Sequence, residues 1–109
     1  MQRLLTDFEL MILLAILRTG DEAYGVRIAD EIGRIGRRTV LLGAVYAALE
    51  RLERNDLVLS SVGEPTPERG GRAKRFYEVT PRGLRAVKQT QESLIALWTD
   101  VPQLKERRT

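Results

Sequence analysis

The sequence predicts a mainly α-helical fold carrying one small β-hairpin. Three observations predict it: a capping box opens an apolar segment, apolar residues recur at helical spacing in later segments, and two short strand-like runs flank a loop rich in glycine and proline. At 109 residues the chain fits a single domain. Its 43% hydrophobic and 30% charged residues are the composition of a folded globular chain rather than a disordered one.

The first helix begins at Thr6, because Thr6 and Glu9 have the spacing at which a hydroxyl and a carboxylate each satisfy an orphan backbone donor. Phe8, Ile12, Ala15 and Ile16 form one face, but Leu10, Met11, Leu13, Leu14 and Leu17 cover the others, until Gly20 ends the helix. A helix apolar all round is buried on two sides. In so short a chain a partner subunit is the expected source of the second covering surface.

A second helix is expected from about Tyr24 to Ile35, with Ile28, Ile32 and Ile35 inward and Arg27, Asp30, Glu31 and Arg34 outward. After Arg37, Arg38 and a short extended stretch, Thr39 to Leu41, a third helix runs from about Leu42 to Asn55. Leu42, Val45, Leu49 and Leu52 make its inner stripe, whereas Gly43, Ala44, Ala47, Arg51 and Arg54 face outward. An outer face that begins with glycine and alanine lets the backbone approach another surface closely.

Leu57 to Val62 and Arg75 to Val79 read as the strands of a hairpin whose loop holds Arg69, Arg72 and Lys74. Thr80 followed by Pro81 is an N-cap and a first-turn proline, opening a last helix that Pro102 is expected to end. Along it Leu84, Val87, Gln91, Leu94, Trp98 and Val101 follow alternating steps of three and four, an interhelical seam too short to sustain a coiled coil alone. Together with Leu10 and Leu14 of the first helix, these residues form the expected homodimer interface.

Helix, helix, helix and hairpin in that order is the winged helix-turn-helix layout, whose third helix enters the DNA major groove while the hairpin contacts the backbone beside it. Residues 1–80 are read as this unit and 81–109 as a C-terminal dimerisation helix and tail, the two making one structural body. Charge agrees: residues 1–36 hold 4 Lys and Arg against 6 Asp and Glu, whereas residues 37–109 hold 14 against 9. A basic bias confined to one part of the chain suits a polyanion-binding face. Winged helices also serve as protein–protein interaction modules that never touch DNA, and topology leaves that alternative open.

The chain has no Cys and no His, which removes thiolate and imidazole as nucleophiles, bases and metal ligands. With no phosphate-cradling loop or acidic metal cluster either, no enzyme activity, metal or cofactor is expected. The longest apolar run, Leu10 to Leu17, is far shorter than the roughly 20 residues needed to span a bilayer, so a cytoplasmic protein is expected.

Several motifs stand in order and at matching spacing between residues 5 and 84: residues 5–10 (LTDFEL), 23–26 (AYGV), 42–53 (LGAVYAALERLE), 70–77 (GGRAKRFY) and 80–84 (TPRGL). They resemble the PadR family of bacterial regulators, and the length and single C-terminal helix resemble its short subfamily. The resemblance implies a dimeric winged-helix repressor of double-stranded DNA, often released from its operator by a small molecule.

Candidate DNA contacts are Arg38, Thr39, Gly43, Ala44, Tyr46, Ala47, Arg51, Arg69, Arg72 and Lys74. Gly43, Ala44 and Ala47 permit close approach, and Tyr46, which matches the tyrosine of the family's helix motif, has a hydroxyl suited to a phosphate; otherwise it is a half-buried packing residue. Arg51 is either a DNA contact or a solvated arginine paired with a nearby glutamate. The wing cations are either phosphate ligands or a solubilising loop. Trp98 reads first as an anchor of the dimer interface. The family resemblance adds a second role, stacking on a flat hydrophobic or aromatic effector, with Phe8, Met11 and Ala15 as neighbours.

Overall fold

A computed structural model describes residues 4–63 and 73–105. The order is helix α1 (Asp7–Thr19), a 3-10 turn (Gly20–Glu22), helix α2 (Gly25–Gly36), helix α3 (Leu42–Arg54), strands β1 (Val58–Val62) and β2 (Arg75–Val79), helix α4 (Pro81–Trp98) and a 3-10 turn (Pro102–Leu104).

The capping box is formed in full. Thr6 Oγ1 accepts from the Glu9 N–H at 3.1 Å, and Glu9 Oε1 accepts from the Thr6 N–H at 2.9 Å. α1 stops at Gly20, where φ is 57°, a conformation glycine adopts without a Cβ penalty. At the far end of the chain Thr80 Oγ1 accepts from the Gly83 N–H at 2.9 Å and Pro81 occupies the first turn of α4.

Ile12, Leu13, Ile28, Val45, Leu49, Leu52 and Val58 are fully buried and form one core between α1, α2, α3 and the hairpin. Burying each such side chain contributes roughly 1.5–3 kcal/mol, so this cluster is the main determinant of the fold. The hairpin is antiparallel, with Val58 opposite Val79 and Ser60 opposite Tyr77. Tyr24 adds an isolated bridge to Phe76 on the other side of β2. The first half of α4 packs back onto this body through Ala86, Val87 and Thr90, and the Leu5 N–H donates to Thr90 Oγ1 at 3.4 Å.

Five expectations are corrected. Ile35, read as inward, is 46% exposed near the end of α2. Glu31 does not face outward: it is 4% exposed, held between α1 and α2 by Arg18 Nε at 2.7 Å and an Arg34 guanidinium nitrogen at 2.8 Å. Leu42 is 40% exposed, because the first turn of α3 projects beyond the core that Val45 enters. α4 ends at Trp98 rather than at Pro102: Thr99 is extended, with its hydroxyl donating to the Ile95 carbonyl at 2.6 Å, and Asp100 has φ of 63°. Val101 therefore lies off the helical seam. Val87 faces its own subunit's core, which leaves little of it for a partner.

Candidate nucleic-acid interface

α2, the connection 37–41 and α3 form the helix-turn-helix, with Arg37 in the left-handed region at φ 56° turning the chain. The inner stripe of α3 is fixed in the core by Val45, Ala48, Leu49 and Leu52, so its opposite face must be presented to solvent. Gly43, Ala44, Tyr46, Ala47 and Arg51 are all exposed there, beside exposed Arg38 and Thr39. A Cβ built on Gly43 would meet nothing within 4 Å, so this turn offers open backbone.

Tyr46 is 45% exposed, and its ring lies against the backbone at the start of α2: a Cβ on Gly25 would overlap Cζ and Oη of Tyr46. Tyr46 is thus packed on one side and open on the other, which is the half-buried packing role considered for it. Arg51 makes no side-chain ion pair or hydrogen bond among the described residues, while Glu50 pairs with Arg54 at 3.6 Å.

The wing is latched to this helix by a relay that sequence reading missed. Arg75 donates to Ser60 Oγ at 3.0 Å, and Ser60 donates to Glu53 Oε2 on α3 at 2.7 Å. Its only signal in the sequence was register, since Ser60 and Arg75 belong to opposite strands whose pairing is set by the hairpin. Lys74 Nζ stands 4.1 Å from the centre of the Tyr24 ring, which also meets the Phe76 ring edge-on at 5.6 Å. Arg69 and Arg72 lie outside the described residues.

The dimer and effector candidates fall in several places. Leu14, Leu84, Gln91, Leu94 and Trp98 are exposed, Trp98 at 63%, while Leu10 and Val101 are partly covered. Met11 and Ala15 line an apolar groove of about 290 Å³ between α1 and α2; Phe8 and Trp98 do not line it. Among the described residues no helix is long and apolar enough to cross a membrane.

A helix-turn-helix with an exposed outer face on its second helix, followed by a hairpin latched to that helix, defines a winged-helix protein. Residues 13–89 match the model of the Transcriptional regulator PadR-like family, and the chain belongs to that family. A transcriptional regulator of Mycobacterium tuberculosis is 33% identical over 81 residues, covering 74% of this chain and 71% of that one. The solved structure of a transcriptional regulator from Clostridium thermocellum superposes with a TM-score of 0.71 at 25% identity, covering 90% of this chain and 89% of that one. A PadR-like regulator from Bacillus cereus superposes at 0.68 with 23% identity, covering 93% of each chain. The chain is a DNA-binding transcriptional regulator and not an enzyme.

Proposed function

We propose that this regulator is a cytoplasmic, homodimeric repressor. In this reading α3 of each subunit enters the major groove of a near-palindromic operator, the two helices lying about 34 Å apart in successive grooves. The observation that carries it is the exposed outer face of α3, where Gly43, Ala44 and Ala47 carry little or no side chain and Tyr46 and Arg51 are exposed with them. Arg38, Thr39 and Lys74, with Arg69 and Arg72 of the wing, supply phosphate contacts.

Dimerisation is assigned to α4 and α1, since Leu84, Leu94 and Trp98 leave a row of large apolar side chains uncovered on a single subunit. Leu10 and Leu14 extend that surface, with Gln91 and Val101 at its edge. A small hydrophobic effector is placed between the subunits, against Phe8, Met11 and Ala15 and under Trp98 of the second copy. Its binding alters the separation of the two reading helices, and a mismatch of a few ångströms then weakens operator binding.

The test is fluorescence anisotropy of a labelled duplex from the region upstream of the gene, beside a scrambled duplex, at two salt concentrations. Tight, salt-dependent binding that prefers the upstream duplex supports the reading. No binding to either duplex at low salt rejects it in favour of a protein-interaction module.

A further inference from the structure

The hairpin has a second side. Ser60 points towards α3, as its hydrogen bond to Glu53 shows, so Leu59 and Ser61 point the opposite way, with Phe76 and Glu78 opposite them across the ladder. A cleft of about 600 Å³ lies between the two strands and the end of α1, and Leu59, Ser61, Phe76 and Glu78 of this face line it. This is within the roughly 300–1,000 Å³ of small-molecule sites. Leu17, Leu59 and Phe76 supply its apolar surface, and Leu59 is 52% exposed.

Two carboxylates, Asp21 and Glu78, also line the cleft. Neither has an ion pair or side-chain hydrogen bond among the described residues, although the chain as a whole carries +3. Lys74, two positions from Phe76 on the same face, is occupied over the Tyr24 ring. Unpaired negative charge beside uncovered apolar surface is complementary to a ligand with one cationic end and an apolar body.

We propose that this cleft binds a small amphiphilic organic cation, an ammonium or amidinium group on an aromatic or aliphatic body. The cation is held by Asp21 and Glu78, and the body lies over Leu17, Leu59 and Phe76. The site is separate from the groove between α1 and α2 and from α4.

The test uses the full chain and two probes of matched shape, 4-phenylbutylammonium and neutral 4-phenylbutanol, titrated by calorimetry. The wild type is expected to prefer the cation by about fivefold, the scale of partly exposed charge pairing. The variant carrying Asp21→Asn and Glu78→Gln loses that preference while keeping its circular dichroism spectrum and its affinity for the alcohol. Leu59→Ser weakens both probes, and Trp98→Ala changes neither. Equal binding of the two probes by the wild type, or no binding of the cation, overturns the proposal. So does a preference for the cation that survives in the double variant or that Trp98→Ala removes.

Discussion

The phenol of Tyr46 on α3 rests on the backbone of Gly25, the first residue of α2, in space that any side chain at Gly25 would fill. The two helices of the helix-turn-helix are therefore spaced around one ring. Gly25→Ala is expected to swing Tyr46 outward. Because Tyr46 has an open side, the cost in stability is about 1 kcal/mol, the low end of overpacking. Operator affinity suffers more, since the hydroxyl leaves its position. Tyr46→Phe keeps the ring and removes only the hydroxyl, and lowers affinity about fivefold to tenfold if it serves a phosphate. Anisotropy titrations beside thermal melts separate the two effects; full affinity in Tyr46→Phe removes the hydroxyl from the DNA contacts.

Glu31 joins α1 to α2 by accepting from Arg18 and Arg34. Hydrogen bonds from Arg18 and then Arg34 hold its carboxyl below the usual glutamate range, against the opposing effect of burial. A carboxylate with a depressed pKa stabilises the fold above its unfolded-state pKa, and that contribution is lost as pH falls through the folded value. Glu31→Gln is accordingly expected to lower the Tm at neutral pH, with the gap between variant and wild type closing in acid. A gap that persists unchanged at low pH attributes the loss to packing instead.

Thr80 closes the junction between hairpin and α4. Its hydroxyl accepts from the Gly83 N–H and donates to the Asp56 carbonyl at 2.7 Å, while its own N–H donates to Leu57 at 3.0 Å. Thr80→Val keeps the shape and strands a buried donor and an acceptor, at a cost of about 2 kcal/mol. Thr80→Ser retains both bonds and should cost well under half as much. Urea unfolding of the three proteins measures the difference.

Local chemistry made much of this legible. Thr6 with Glu9 and Thr80 with Pro81 announce helix starts because a cap needs only neighbours in sequence, and the stripe of Val45, Leu49 and Leu52 needs only the helical period. Glu31 was misread for the opposite reason: its partner Arg18 comes from another helix, and an outward reading follows whenever the covering element is unknown. The end of α4 was misplaced because Pro102 is a visible stop, whereas the break at Thr99 and Asp100 depends on backbone angles that composition does not mark. The contact between Tyr46 and Gly25 was invisible on either residue alone, since it exists only once α2 and α3 cross.

On α4, Leu94 and Trp98 are exposed in the single subunit, so a polar substitution there removes nothing from the subunit's own core. If the chain pairs through α4 as proposed, Leu94→Glu is expected to leave the fold intact and to convert the proposed dimer to a monomer in sedimentation velocity at micromolar concentration, because it would bury a carboxylate of each subunit in an apolar seam. Operator binding falls with it, since one subunit then engages one half-site at a time. An unchanged dimer would place the interface elsewhere.

In the proposed reading the wing acts through charge rather than sequence. Lys74→Ala together with Arg72→Ala is expected to weaken binding to every duplex alike and to flatten the slope of log K against log salt by about one unit for each phosphate no longer neutralised. Lys74 is seated over Tyr24, whose ring also meets Phe76, so its removal also frees a ring that shares a face with the hairpin. That packing effect is small, about 0.5–1 kcal/mol for an exposed cation over an aromatic ring, and shows in the melt rather than in the salt slope. Tyr24→Leu, which removes the ring but keeps Lys74, separates the two contributions: its salt slope should match the wild type. A slope unchanged in the double alanine variant takes the wing out of the DNA-binding surface and leaves α3 with Arg38 and Arg51 to carry the electrostatics.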